Sequence, residues 1–174
     1  MSISLYEVCI PALTRGLTNL SGFLDKAAAY AEAKKFDSAV LAQLRLFPDM
    51  HPLSRQVQIA CDTAKGAVGR LAQSEIPKHA DTETTLAELK SRIAKTVDFV
   101  KSITPAQLQG AESREVELKF PNGAVKFTGA TYLTDFVLPN FYFHISTVYA
   151  LLRSNGVELG KSDFLGAIQK PSAP

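Results

Sequence analysis

The chain has 174 residues, 46% apolar and 21% charged, with 19 basic side chains against 17 acidic ones and a net charge of +2. Such a chain suits one domain with a sizeable core, and its composition excludes global disorder. The balanced charge argues against a nucleic-acid partner, which asks for a basic stripe with interleaved aromatics, and no stretch of roughly 20 apolar residues offers a membrane span.

In chain order, Leu5, Cys9, Leu13, Leu17, Leu20, Leu24, Ala28 and Ala31 recur at helical spacing. They predict a first helix over residues 4–34, with Pro11 either kinking it or marking its true first turn. Asp37 reads as the N-cap of a short helix over 38–44, and 47–52 as an irregular link. A second long helix starts at His51 or Pro52, with a seam of Leu53, Val57, Ala60, Ala64, Ala67, Val68 and Leu71. Its small residues permit close helix approach.

Residues 74–80 read as a loop, and Thr82 as the N-cap of a third helix with Leu86, Leu89, Ile93, Val97, Val100 and Ile103 on its core face. Then Glu115–Phe120 and Ala124–Thr128 alternate polar and apolar residues about Pro121-Asn122-Gly123, a hairpin signal. Val116, Leu118 and Phe120 should face the bundle, because a lone ribbon is marginal in water. The last long helix runs over 130–155, interrupted at Pro139 and stopped at Asn155-Gly156. Leu159, Phe164 and Leu165 can dock the remainder, and 167–174 reads as a disordered tail. The expected architecture is all-α: a four-helix bundle over 1–166 with a hairpin inserted before the last helix.

The last helix carries the most pointed signal. Leu133, Phe136, Val137, Asn140, His144, Thr147, Val148, Leu151 and Leu152 share one face, and Asn140 and His144 sit in its middle, one turn apart. Polar groups on an apolar face need partners, so the pair is either a satisfied core network or the floor of a site. Of the three histidines, His51 and His79 share no helix with it at four-residue spacing. A metal site would therefore need His144 joined by carboxylates such as Asp49 or Asp62 from elsewhere. Asp62 orients the imidazole only if its face meets His144. Cys9 and Cys61 have small or apolar neighbours and read as structural thiols in a reducing, cytoplasmic setting. Gly160-Lys161-Ser162 resembles the end of a phosphate loop without its upstream glycine or strand. The aromatics Phe136, Phe141, Tyr142, Phe143 and Tyr149 surround the last helix; core packing is their first reading, and a homodimer contact is the next way to bury a second face.

Two longer stretches resemble a known family. Pro48-Asp49-Met50, Pro52-Leu53, Gln56-Val57-Gln58 and Asp62-Thr63-Ala64-Lys65-Gly66 form the first. Pro139-Asn140-Phe141-Tyr142-Phe143-His144, Tyr149, Leu152-Arg153, Gly156-Val157 and Leu159-Gly160-Lys161 form the second. Together they resemble the DUF1993 family over about residues 2–166, and that family is similar to the DinB-like superfamily of four-helix bundles. Many superfamily members hold a divalent metal such as zinc or nickel on three histidines, one from the second helix and two from the last. Some of them are thiol-dependent transferases or isomerases.

On this chain the last helix offers Asn140 and His144, and the second helix Gln56 or Gln58. An amide oxygen is a poor zinc ligand beside imidazole. The resemblance thus implies the fold and the location of the pocket; the polar pair and the surrounding aromatics point to a metal-free bundle binding an unknown small molecule in a central pocket around His144, with Asn140, Gln56, Gln58, Asp49, Asp62 and Tyr149 as candidate contacts. In this reading His144 is also an acid/base candidate. The alternatives are a non-catalytic dimeric interaction protein and a metal-dependent transferase with an altered site.

Overall fold

The computed structural model describes residues 3–167. Residues 168–174, and with them nearly all of the expected disordered tail, lie outside the described part. Four long helices form a ring in the order α1 (Leu5–Lys34), α4 (Leu86–Ser102), α3 (Leu53–Ala72) and α6 (Leu138–Ser154). Their apolar faces meet in one core that includes Leu13, Leu17, Leu53, Leu71, Leu89, Ile93, Phe141 and Leu152. Within it α3 and α6 run antiparallel along an extended contact.

Helix α1 starts at a capping box: the Ser4 hydroxyl accepts from the Glu7 amide, and the Glu7 carboxylate accepts from the Ser4 amide. It then continues without a break through the sequence position of Pro11. Pro11 is exposed, so the Glu7 carbonyl that it leaves without a donor faces water. Gly16 lies where α1 crosses α6, and a Cβ there would stand 2.5 Å from Phe141 Cε1 and 3.0 Å from Ile145 Cδ1. Only a glycine lets the two helices come this close.

Three boundaries differ from the sequence reading. The short helix α2 covers only Ala39–Ala42, and the Asp37 carboxylate accepts from the Ala39 amide two residues on. Pro52 is the extended residue before α3 rather than its first helical residue. The N-cap of α4 is Thr85, not Thr82, because Thr85 has Glu88 three residues later and the two exchange side-chain-to-backbone bonds.

The strands β1 (Glu115–Phe120) and β2 (Gly123–Thr128) pair antiparallel, with Phe120 opposite Gly123. The loop is therefore Pro121-Asn122, and Gly123 belongs to the ladder. A proline locked near φ −65° does not fit the first loop position of the turn that Asn-Gly favours, and Gly123 absorbs the strain at φ 133°. Val116 and Leu118 are buried against the bundle as expected, whereas Phe120 is 44% exposed.

From the hairpin the chain enters one continuous helical rod: α5 (Gly129–Thr131), a π-helical segment (Tyr132–Val137) and α6. Pro139 is the cause of this irregularity. In an α-helix its ring would press on the carbonyl of Asp135 and leave it without a donor; the wider π turn relieves both. In that turn the Leu138 amide bonds to the Leu133 carbonyl, five residues back.

Gly160 opens α7 (Lys161–Leu165), and its amide donates to Asp163. Gly160-Lys161-Ser162 is thus a helix start. Phe164 docks against Phe23 and Tyr149, with ring centroids 6.3 and 5.9 Å away, while Leu165 stays 42% exposed. Among the described residues no helix is long and apolar enough to cross a membrane.

The close crossing at Gly16 makes a stability prediction. Replacing Gly16 with Leu should cost about 2 kcal/mol, since overpacking against Phe141 and Ile145 outweighs the gain in helix propensity. Urea denaturation of wild type and variant measures it, and an unchanged midpoint would refute the close packing.

Candidate functional site

The α3–α6 interface carries two polar pairs along its length. Asn140 Nδ2 donates to Thr63 Oγ1 at 2.8 Å, and His144 Nδ1 lies 2.6 Å from Gln56 Oε1. Because the helices are antiparallel, one turn back on α6 meets about two turns on along α3. Gln56 is held by its other end, since Nε2 donates to the His51 carbonyl at 3.1 Å. That bond turns Oε1 toward the imidazole and makes His144 Nδ1 the donor. The neutral ring therefore keeps its lone pair on Nε2, which receives no protein donor among the described residues.

His144 is only 7% exposed. Desolvation pushes its pKa down to about 4, and the positive charges of His51 and Arg55 add to the effect. The ring is neutral at pH 7, and its conjugate acid is too strong for it to be an effective base there. Phe143 meets the imidazole edge-on, with centroids 5.2 Å apart, and is itself 54% exposed.

The other candidates scatter. Asp49 is exposed, in the link before α3. Tyr149 turns away to donate to the Leu159 carbonyl, where the chain after α6 docks. Gln58 lies on a neighbouring face of α3 and donates to Glu83. Asp62 does not reach His144: its Oδ1 sits 2.7 Å from Arg92 Nη2 and 2.9 Å from Lys65 Nζ. Helical geometry separates these sets, because Gln56 and Thr63 share the α6 face while Gln58 and Asp62 share the α4 face.

The α4 face holds a charged network that centres on Arg92, 2% exposed. Arg92 pairs with Asp62, with Asp81 at 2.9 Å and with Glu83 at 3.0 Å. Arg55 also pairs with Asp81. Desolvation alone would raise the carboxyls of Asp81 and Glu83. Hydrogen bonds and the charge of Arg92, joined by Arg55 at Asp81, hold both below their ordinary range. Both cysteines are fully buried, which pushes their thiols up to about 12 and leaves them inert.

A cleft of about 470 Å³ opens where the hairpin leans over α3 and the π segment. Asn140, Thr63 and Asp62 line its inner side, and Arg70 and Lys119 bring positive charge. Tyr132, Phe136 and Phe120 form an aromatic wall. Tyr132 and Phe136 stack 6.0 Å apart at 12°, Phe120 meets Phe136 edge-on, and Arg70 donates to the Tyr132 hydroxyl. Arg92, Thr63, Arg70 and Tyr132 were all missed from the sequence. Only Arg92 left a signal: it falls in phase with Leu89, Ile93 and Thr96 on the buried stripe of α4. The cleft residues converge through the contact of α3 with the last rod and through the hairpin over it, and no local spacing encodes either placement.

The ring of four helices, the hairpin before the last of them and the polar seam define a DinB-like four-helix bundle. The chain belongs to the DUF1993 family: the family's model, described as a domain of unknown function, matches residues 5–165. Among solved structures it is similar to a DinB family member protein from Shewanella denitrificans, at 43% identity and a TM-score of 0.90. That likeness covers 98% of this chain and 96% of the other. No curated protein matches it.

The donor set at the seam does not fit the divalent metal of the wider superfamily. It holds one imidazole, with Nδ1 engaged by Gln56, and two amides already committed to protein partners. Among the described residues no three His, Cys, Asp or Glu side chains cluster as a metal requires.

Two predictions follow from this chemistry. His144 has a folded pKa near 4 against about 6.5 when unfolded, so between those values the unfolded chain binds the extra proton. Its contribution is intact above pH 6.5 and is lost as pH falls toward 4, by about 3 kcal/mol at most. Urea midpoints across that window should fall more steeply for wild type than for His144→Gln; parallel curves would refute the buried neutral ring. Arg92→Met should destabilise the fold by about 2–3 kcal/mol, less than for a fully buried pair because Asp62 and Asp81 keep access to water. Denaturation at neutral pH checks this.

Proposed function

We propose that the chain is a metal-independent small-molecule-binding protein whose site is the cleft between α3, the hairpin and the π segment. The observation that carries this reading is the cleft itself. It sets three aromatic rings against Asp62, Thr63, Arg70 and Asn140 in a volume that suits a small organic molecule. Asn140 stands at the inner wall, held by Thr63. His144 acts one turn away as a positioning residue: through Gln56 it keeps α6 in register with α3. The reading is binding rather than catalysis, since a buried imidazole with a pKa near 4 is a weak base at neutral pH.

Arg70 and Lys119 can meet an anionic head, Glu117 a cationic one, and the rings a flat apolar body. Saturation-transfer NMR with aromatic carboxylates and aromatic amines as probes tests the reading. At least one probe class should bind saturably, and Phe136→Ala or Asn140→Leu should weaken it about tenfold with the melting temperature kept within a few degrees. Binding unchanged in both variants, or none from either class, would overturn the site.

A second reading, self-association, is favoured by the exposure of Phe143, Leu46 (51%) and Phe47 (64%). Sedimentation of wild type and Phe143→Ser decides it: a dimer in wild type that dissociates in the variant supports this reading, and a monomer throughout removes it.

A further inference from the structure

A second cleft, of about 380 Å³, lies on the opposite side of the Arg92 network from the aromatic wall, between residues 78–83 and the first turns of α4. Lys78, His79, Glu83, Ser91, Arg92 and Lys95 line it. Its charges do not close as those of the network do. Asp62, Asp81 and Glu83 are matched by Arg92, Lys65 and Arg55. Glu88 is engaged by the backbone amides of Thr84 and Thr85 as the cap of α4. Lys78 and Lys95 remain, and neither meets a carboxylate among the described residues.

Two buried nitrogens are also left without a partner. Arg92 spends both terminal nitrogens on Ala80, Glu83 and Asp62, and its Nε–H finds no acceptor. His79 Nδ1 is likewise buried without a partner. A buried polar group with no partner is disfavoured, and at His79 a ligand acceptor would supply the missing one. Desolvation and the nearby charges of Lys65 and Arg92 hold the pKa of His79 below its ordinary value. In its neutral form with the proton on Nδ1 the ring presents an N–H without adding charge.

We propose that this cleft binds a small oxyanion, a carboxylate or a phosphate group, on the ammonium groups of Lys78 and Lys95, with His79 turning its Nδ1–H onto the same group. The three donors approach from two elements: Lys78 and His79 come from the segment before α4, and Lys95 from α4 itself, one turn after Arg92. An oxyanion has the acceptor capacity for all of them, and it neutralises the two cations that the network leaves unmatched.

The test is titration of full-length protein with inorganic phosphate and, separately, with malonate, following the ring resonances of His79 by NMR at constant ionic strength set with chloride. Wild type should show a saturable shift with at least one anion. Lys95→Gln should weaken it about tenfold, the size of one charge-assisted contact, and the Lys78→Gln/Lys95→Gln double variant should abolish it. Both lysines are surface residues outside the ion pairs, so unchanged melting of the variants serves as the control for folding. A response to phosphate alone assigns a phosphoryl ligand, and one to malonate alone a carboxylate. An unmoved His79 with both anions, a shift that chloride reproduces, or a shift that survives in the double variant would overturn the proposal. The aromatic cleft stands or falls separately, since neither lysine lines it.

Discussion

Gln56 bonds in two directions, and the geometry of the α3–α6 interface depends on that. Its amide nitrogen is held by the His51 carbonyl just before α3, and its oxygen receives the imidazole of α6. A buried polar side chain satisfied at both ends fixes where two helices sit along each other, because sliding by one residue would orphan both groups. Apolar packing alone would tolerate several registers on the alanine-rich face of α3. The second pair, Asn140 with Thr63, repeats the constraint farther along and places an amide at the inner wall of the aromatic cleft. The hairpin then closes over a surface whose alignment is already determined.

Asp62 occupies the other decisive position. It lines the aromatic cleft, yet its carboxylate belongs to Arg92, which lines the cleft on the far side of the network. A single ion pair therefore separates the two cavities. Arg92 itself is almost fully enclosed, and burying a guanidinium is tolerable only with several acceptors in place. The segment 80–83 supplies most of them: the Ala80 carbonyl, Asp81 and Glu83. That requirement accounts for an ordered path through a stretch with little regular structure.

Much of the architecture was legible because it rests on periodicity. The four helices, the hairpin before the last and most of the buried faces of α1, α3 and α4 follow from apolar spacing, although on α1 Ala27 is buried where Ala28 was expected. What escaped was chemistry with more than one local solution. Thr82 and Thr85 both look like caps, and only the reciprocal bond with Glu88 separates them. Asn-Gly suggests one loop, but the preceding proline forces another. The seam was legible in part: Asn140, His144 and Gln56 do line one helix interface. Asp62, Gln58, Asp49 and Tyr149 do not join them, since which face of α3 meets α6 is a property of the assembled ring. A lysine or arginine in phase with a buried stripe, as Arg92 is on α4, is the sign that was available and overlooked.

The π segment has a consequence for how this chain tolerates length changes. A π turn holds one residue more than an α turn, so the rod from Gly129 to Ser154 carries a phase offset at Tyr132–Val137. Everything before the offset, the hairpin included, is set about the rod axis relative to Asn140 and His144 by that one extra residue. Losing it would rewind the segment to α-helix and swing the hairpin by about 100° about the rod axis. Insertions and deletions at the tip of the hairpin leave this dial untouched. In this fold, then, one residue inside a helix governs the shape of the cleft more strongly than several residues in a loop.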